Sequence, residues 1–175
     1  MGRDKAGVRV GGETLWRRQL GTLRACAPGE VFISGKADGP YAKTGVEIVA
    51  DVVPGLGPLG GLEAALRRAN WPLVLVLAID LPEMTVAFLA SLVREATDGQ
   101  GCVPRAGVWF EPLAAVYPRA CLPLVAECLR GEDRSMQRFV RLAVEQGWVR
   151  IRELLPDERS LFKNVNQPGD LDGLG

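Results

Sequence analysis

The stretch 72-PLVLVLAIDLP-82 decides the fold, because it begins with the longest apolar run in the chain. A run of this composition predicts a strand that is buried on both faces of a parallel sheet covered by helices. Asp80 follows the run directly. In open α/β sheets, ligands bind outside the carboxyl ends of the strands, so Asp80 is placed where ligands bind. The stretch therefore predicts both a core strand and a candidate ligand site.

Helical and strand periods alternate on both sides of this stretch. Helical spacing of apolar residues predicts helices over 14–27, 57–70, 85–98, 120–131 and 135–147. Strand-like runs occupy 30–34, 46–51, 72–80, 111–118 and 148–154. We expect Thr14 and Thr85 to cap the helices that follow them. The alternation predicts a three-layer α/β/α Rossmann-like fold with a mostly parallel sheet, and one domain over residues 1–175.

Composition and charge exclude several classes of protein. The chain has 175 residues, of which 47% are hydrophobic and 24% are charged, as expected for a folded chain. Lys plus Arg equals Asp plus Glu at 21 each, which gives no reason to expect a nucleic-acid partner. The longest apolar run is far short of the ~20 residues of a membrane helix, and no export signal opens the chain. We therefore expect a cytoplasmic protein with no membrane partner.

The chain has no histidine, which limits its chemistry. Catalysis by Ser-His-Asp or Cys-His groups and zinc sites of the HExxH type are excluded. The four cysteines form no CxxC pair and are expected to be reduced, mostly buried thiols. Carboxylates, lysine, arginine, amides, backbone N–H groups and a hard metal such as Mg²⁺ remain.

Asp80 is the first of three candidate sites. A carboxylate at the end of a buried strand suits Mg²⁺, which takes one or two carboxylates together with substrate phosphates. Pro82 fixes the direction of the chain just after it. The alternative is a solvated aspartate that caps the following turn.

The second candidate is the glycine-rich turn in 51-DVVPGLGPLGGLEAAL-66. Gly57, Gly60 and Gly61 surround the start of a predicted helix, where backbone N–H groups favour anions. Asp51 ends the preceding strand and can accept a hydrogen bond from a sugar hydroxyl. The alternatives are a glycine set needed only for packing and an aspartate that caps the loop.

The third candidate is 162-FKNVNQPGDL-171, in which Asn164 and Asn166 alternate across one residue. In an extended segment both amides point the same way and can bind a polar ligand. The alternative is a pair of Asx turns ahead of Pro168. Separately, Trp109 and Phe110 beside a predicted strand are expected to be core residues rather than a surface for a partner or ligand.

Together with 1-MGRDKA-6, these pieces resemble the molybdenum cofactor guanylyltransferase family. That family has an N-terminal LAGGxSxRMGxDKA loop, a D…PGxGPLAGI…AL segment, an aspartate in CDxP, a PLxALY strand, an LxxGxR stretch and a final FxNxNTPxDL. In this chain the corresponding segments are MGRDKA, DVVPGLGPLGGLEAAL, AIDLP, EPLAAVYP, CLRGEDR and FKNVNQPGDL. The resemblance covers essentially the whole chain.

The resemblance implies an enzyme that transfers GMP from GTP to molybdopterin phosphate and releases pyrophosphate. Gly2 and Lys5 would bind the GTP phosphates, Asp80 would hold Mg²⁺, and Asp51 with Gly57, Gly60 and Gly61 would line the nucleotide pocket. The acceptor side would include Asn164 and Asn166. The implied partners are GTP, the molybdenum cofactor, and molybdoenzymes or cofactor-delivery proteins.

The chain departs from the family pattern in two places. It starts inside the glycine loop, so we expect that the natural start lies upstream and that the first strand of the sheet is missing. Ser34 stands where some members have asparagine. Alternative functions are cytidylyl transfer to the same cofactor, guanylyl transfer to another phosphorylated acceptor, and a non-catalytic nucleotide-binding relative. The GPLGG segment favours guanylyl transfer.

Overall fold

The computed structural model describes residues 7–97 and 99–164. Within these residues the helices are α1 (Leu15–Ala25), α2 (Gly57–Arg68), α3 (Val86–Glu95), α4 (Leu122–Arg130) and α5 (Met136–Glu145). Each lies inside a stretch predicted to be helical. Short 3-10 helices occur at Arg119–Cys121 and Glu158–Phe162. The helical predictions are therefore confirmed, with shorter ends.

The strands are β1 (Arg9–Val10), β2 (Glu13–Thr14), β3 (Phe32–Ser34), β4 (Glu47–Val49), β5 (Leu73–Leu77), β6 (Gly101–Ala106), β7 (Trp109–Phe110), β8 (Ala114–Pro118) and β9 (Val149–Glu153). The main sheet has the order β5-β8-β6-β7, and β9 pairs with β6. A separate parallel pair joins β3 to β4, and a short hairpin joins β1 to β2. The predicted α/β class is confirmed.

The sheet is mixed, so the expectation of a mostly parallel sheet needs correction. Strand β8 runs antiparallel to both of its neighbours, β5 and β6, and only the pairs β3–β4 and β6–β9 are parallel among the described strands. The reason is connectivity: β6 turns back through Gly107 (φ +63°) into β7 and then β8, without an intervening helix. Short connections join antiparallel strands, whereas parallel strands need a crossover.

Strand β6 was not predicted from the sequence, although it lies at the centre of the main sheet. Pro104 lies inside it, and proline cannot donate a ladder hydrogen bond. The structure accommodates Pro104 because β8 pairs with β6 only at Cys102, before the proline. The Pro104 carbonyl still accepts a hydrogen bond from the N–H of Glu111 at 2.8 Å.

Strand β5 is paired on one edge only among the residues that the structure describes, and its five residues are half-buried. Both faces of β5 nevertheless pack against apolar residues, through Val74 and Val76 on one face and Leu73, Leu75 and Leu77 on the other, so the prediction that the strand is covered on both faces is confirmed. The Ala78 N–H donates to Leu113 and the Arg119 N–H to Pro72, so alternate backbone groups face β8. The remaining groups, those of Leu73, Leu75 and Leu77, face the opposite edge.

Two cavities separate this free edge of β5 from the β3–β4 pair. One of about 430 Å³ is lined by Phe32 of β3 and by all of β5. The other, of about 350 Å³, lies between Ser34 and Leu77. Both are largely apolar. That the first strand of the sheet is missing stays a prediction.

Apolar clusters cover the two faces of the main sheet. The larger is built by α2, α4 and α5 around Tyr117 and Phe139, whose rings lie 5.6 Å apart. The smaller joins α3 to the sheet and to the loop after β5 through Leu81, Met84 and Phe88. These clusters pack against β5 and the loop after it, and they fix the carboxyl end of the strand.

The two predicted helix caps have different outcomes. The Thr85 hydroxyl accepts a hydrogen bond from the Phe88 N–H at 3.2 Å, so Thr85 caps α3 as predicted. Thr14 occupies the N-cap position of α1, but its side chain makes no cap hydrogen bond, and its buried hydroxyl has no partner within the described chain. The prediction that the Thr14 side chain caps α1 is therefore wrong, because the cap hydrogen bond is not formed.

All four cysteines are free thiols, as predicted, and three of them are buried. Burial raises the pKa of Cys102 to about 11 and that of Cys121 to about 12. Both thiols are therefore neutral and poorly reactive at ordinary pH.

Among the described residues, none of the helices combines the length and the apolar character that a membrane crossing requires.

Candidate functional site

The glycine-rich turn before α2 has the backbone geometry that only glycine adopts readily. Gly55 has a φ of +83° and Gly57 a φ of +67°, both in the left-handed region. The helix begins at Gly57, and Pro58 in its first turn is suited to a position where an N–H has no helical partner. The turn therefore leaves backbone N–H groups at the start of α2, a suitable place for an anion.

The structure brings Asp51 and Ser34 against the first turns of α2. A Cβ added to Gly61 would lie 2.9 Å from Ser34 Oγ and 3.7 Å from Asp51 Oδ1. A Cβ added to Gly60 would lie 3.7 Å from Asp51 Oδ2. Ser34 and Asp51 lie close together because β3 and β4 are parallel and end at the same edge. Ser34 is the last residue of β3, and Asp51 follows β4. The prediction that Asp51 lies with these glycines is supported by this geometry.

Asp80 lies in the turn that follows β5, and it is half-buried. The turn is fixed at several backbone atoms: the Ala78 N–H donates to Leu113, and the Leu81 carbonyl accepts from the Met84 N–H at 3.1 Å. Leu81 is 4% exposed and packs in the smaller apolar cluster. The carboxylate is therefore carried by a turn with an ordered backbone.

The cavity of about 350 Å³ joins the two candidate regions. One side is formed by Ser34, Pro58 and Gly61, next to Asp51. The other side includes Ala78 and Ile79, the two residues before Asp80. The glycine turn and the residues that lead into Asp80 therefore line one cleft near the carboxyl ends of β3 and β5.

The segment that leads to Asn164 packs beside the Asp80 turn. Leu161 and Phe162 contact the apolar cluster that contains Leu81 and Met84. The Phe162 ring meets the Phe88 ring edge to face, with centroids 5.4 Å apart. Asn164 follows and is exposed.

Three of the predicted site residues, Gly2, Lys5 and Asn166, lie outside the described residues. Their roles stay predictions.

A self-contained metal cage is absent from the described chain, because no group of three or more Asp, Glu, Cys or His residues is placed to hold an ion. Mg²⁺ is often held by one or two carboxylates together with the phosphates of a substrate. The half-buried Asp80 carboxylate is a donor of that kind.

Two residues of α1 that hold the Asp80 turn were not predicted from the sequence. The Gln19 side-chain amide donates to the carbonyls of Ala78 and Leu81, and Arg18 Nε donates to the carbonyl of Pro82. One signal was available: Gln19 lies on the apolar face of α1, between Leu15 and Leu23.

Trp109 is 65% exposed, so the expectation that it is a core residue is wrong. It is the first residue of β7, just after the turn at Gly107. Phe110 is half-buried and packs against the larger cluster, so the core expectation holds for Phe110 in part.

Comparison with known proteins places the chain in a family. Residues 1–149 match the model of the MobA-like NTP transferase domain. The chain belongs to this family. A protein of Opitutus terrae named "Probable molybdenum cofactor guanylyltransferase" is 41% identical over 98% of this chain and 87% of its own length. Members of the family are nucleotidyltransferases, so the chain belongs to a family of enzymes.

Solved structures confirm the MobA-like fold. The molybdopterin-guanine dinucleotide biosynthesis protein A of Archaeoglobus fulgidus superimposes with a TM-score of 0.72, at 22% identity over 98% of this chain and 88% of that one. A Mycobacterium tuberculosis protein in complex with manganese superimposes with a TM-score of 0.61, at 19% identity over 87% of this chain and 82% of that one. At these identities the likeness shows the fold.

Proposed function

We propose that the protein transfers GMP from GTP to the phosphate of molybdopterin and releases pyrophosphate, with Mg²⁺ bound at Asp80. The observation that carries the proposal is the cleft lined by the glycine turn of α2 and by the residues that lead into Asp80. The names of the related proteins support the same reaction. Nucleotidyl transfer depends mainly on positioning and on neutralising charge, which this cleft can supply without histidine.

On the nucleotide side, Asp51 accepts hydrogen bonds from the guanosine, and the turn at Gly57, Gly60 and Gly61 lets the nucleotide approach the backbone. The contact between Asp51 and the first turns of α2 supports this assignment. The backbone N–H groups at the start of α2 favour the negative charge of the nucleotide. Gly2 and Lys5 bind the phosphates in this proposal.

On the reaction side, Asp80 holds Mg²⁺, and the bound ion neutralises charge on the transferred phosphate. The ordered turn keeps the carboxylate in one position, which lowers the cost of arranging it during the reaction. The acceptor is already an anionic phosphate, so no strong general base is needed. Asn164 and Asn166 orient the acceptor in this proposal. The packing of Phe162 beside Phe88 places the segment that leads to Asn164 near the Asp80 turn.

The test is a transfer assay with GTP, molybdopterin and Mg²⁺, in which pyrophosphate and the dinucleotide product are both measured. We expect product with GTP and little with CTP. Asp80→Asn keeps the size of the side chain but removes its charge, so transfer should fall at least a hundredfold, by analogy with the loss of other groups that stabilise charge in transition states.

The matched control is Glu127→Gln, which removes an exposed carboxylate from α4. Glu127→Gln should transfer at the rate of the unmodified chain. Equal transfer by Asp80→Asn and Glu127→Gln would show that Asp80 does not bind the metal. Product with CTP and none with GTP would instead support cytidylyl transfer.

A further inference from the structure

Helix α1 carries an unusual polar side chain in its buried face. Gln19 is 4% exposed and lies between the apolar residues of that face. Its Nε2 donates to the Leu81 carbonyl at 2.6 Å and to the Ala78 carbonyl at 3.1 Å. The neutral amide has two N–H donors, so both are used on one turn. The two carbonyls flank Ile79 and Asp80.

The same turn receives a third hydrogen bond from α1. Arg18 Nε donates to the Pro82 carbonyl at 2.6 Å. The adjacent side chains of Arg18 and Gln19 therefore donate hydrogen bonds to backbone carbonyls on both sides of Asp80. These contacts join segments about sixty residues apart, so they do not arise from local turn formation.

The rest of the Gln19 environment indicates that these bonds are the function of the amide. Its Oε1 is buried and has no hydrogen-bond partner in the described structure. A buried polar atom without a partner is costly, and an apolar side chain at this position of α1 would avoid that cost. What an apolar side chain could not do is donate to the two carbonyls.

We propose that Gln19 is a positioning residue for the metal site: it fixes the turn that carries Asp80, so that the carboxylate is oriented before metal and nucleotide bind. Arg18 supports the same turn from its carboxyl side. This inference rests on the proposed role of Asp80. Residues that orient a metal ligand typically change metal affinity ten- to a hundredfold when they are replaced, and we expect an effect near the lower end, about tenfold.

The test is calorimetric titration with GTP, either in saturating Mn²⁺ or in EDTA. The ratio of the two affinities measures the coupling between metal and nucleotide. Gln19→Met has a similar volume without the donors, and we expect it to lose about tenfold of this coupling. Gln19 lines the same cavity, but the proposed nucleotide contacts are those of Asp51 and the glycine turn of α2, so the GTP affinity in EDTA should be unchanged.

A double-mutant cycle separates positioning from general loosening of the fold. If Gln19 acts through Asp80, the variant Gln19→Met/Asp80→Asn should have the same coupling as Asp80→Asn alone. A lower GTP affinity of Gln19→Met in EDTA, or unchanged coupling in Mn²⁺, would overturn the inference. Loss of coupling in Gln19→Met but not in Asp80→Asn would instead contradict the role of Asp80 in the proposed function.

Two further variants keep the inference testable. If Gln19→Met does not fold, Arg18→Met is the substitute. Arg18 is half-buried, and its replacement removes one of the three hydrogen bonds to the Asp80 turn, so the coupling should fall by a smaller factor. Unchanged coupling in a folded Arg18→Met would then count against the inference. Thr22→Ala is the control on the same helix, because its hydroxyl bonds only to the Arg18 carbonyl one turn earlier. Thr22→Ala should keep the full coupling.

Discussion

Gly61 and Asp51 lie so close together that a Cβ built on Gly61 would come within 3.7 Å of Asp51 Oδ1. The same Cβ would lie 2.9 Å from Ser34 Oγ, which is closer than real Cβ contacts allow. The backbone of α2 is therefore packed against Ser34 and Asp51 at this position, and an added side chain would displace the Ser34 hydroxyl.

Gly61→Ala should weaken GTP binding without unfolding the chain. The methyl group enters the space beside Asp51, whereas the helix gains about 1 kcal/mol of intrinsic propensity from alanine. We expect GTP affinity, measured by calorimetry, to fall at least tenfold while the melting temperature stays within a few degrees. The control is Gly21→Ala in α1, where an added Cβ meets nothing within 4 Å. Unchanged GTP affinity in Gly61→Ala would remove this turn from the nucleotide site.

Alkaline pH should destabilise the protein through its buried thiols. Burial raises the pKa of Cys102 to about 11 and of Cys121 to about 12, from 9.0. Between pH 9 and pH 11, the unfolded chain loses these protons and the folded chain keeps them, so stability falls as the pH rises. Each thiol contributes at most about 1.4 kcal/mol per pH unit.

Urea unfolding at several pH values measures this effect. The Cys121→Ala variant should show a smaller loss of unfolding free energy above pH 9 than the unmodified chain, because it lacks one of the thiols whose pKa burial raises. Identical pH slopes for the two proteins would mean that the Cys121 thiol does not titrate differently in the folded state.

Arg152 should matter for stability far more than its neighbour Arg105. Arg152 donates to Glu95 at 2.9 Å and to Glu158 at 2.6 Å, and its guanidinium lies 4.7 Å from the centre of the Phe88 ring. Arg152 and Glu158 are largely buried, whereas the Glu95 side chain is 40% exposed. Loss of these charge-assisted hydrogen bonds should make Arg152→Met cost about 2 kcal/mol of unfolding free energy.

Arg105→Met is the matched control, because Arg105 pairs with the more exposed Glu153. Exposed pairs contribute less than about 1 kcal/mol, and denaturant unfolding distinguishes the two losses. Equal losses would show that the Arg152 network is no stronger than a surface pair. If Arg152 also orders the segment before Asn164, proteolysis after Lys163 should be faster in Arg152→Met.

Among the described residues, β3 and β5 each have one unpaired edge, which predicts a response to an added strand. A strand with about five buried apolar side chains contributes roughly 8–15 kcal/mol before its ordering cost. A chain extended at its N-terminus by a strand and glycine loop of the family type should therefore unfold at higher urea concentration. It should also bind less of an apolar dye, because the cavity of about 430 Å³ is filled. Unchanged stability and dye binding would argue that the space between β3 and β5 does not accept a strand.

Elements with strong periodicity were predictable from the sequence, and those set by tertiary contacts were not. The helix around Leu62 and the strand around Leu75 follow from local apolar patterns. Strand β6 does not, because Pro104 is tolerated only where β8 has already diverged from it. The exposure of Trp109 depends on the hairpin that projects it, which the sequence pattern did not predict.

The candidate site shows the same division. Asp51, Asp80 and the glycines of α2 could be chosen because polar residues and glycines after strands mark the ligand edge of an α/β sheet. Gln19 could not be chosen in this way, because its role depends on a contact with carbonyls about sixty residues further along the chain. Buried side chains that bond to a distant backbone leave only a weak signal, a polar residue in an apolar stripe.

Calorimetric titration of the chain with GTP, CTP and ATP in the presence of Mg²⁺ tests the proposed function directly. GTP should bind at least tenfold more tightly than CTP or ATP, and Asp80→Asn should remove the part of the GTP affinity that depends on Mg²⁺. Equal affinities for the three nucleotides, or a Mg²⁺ dependence that survives in Asp80→Asn, would contradict the proposed function.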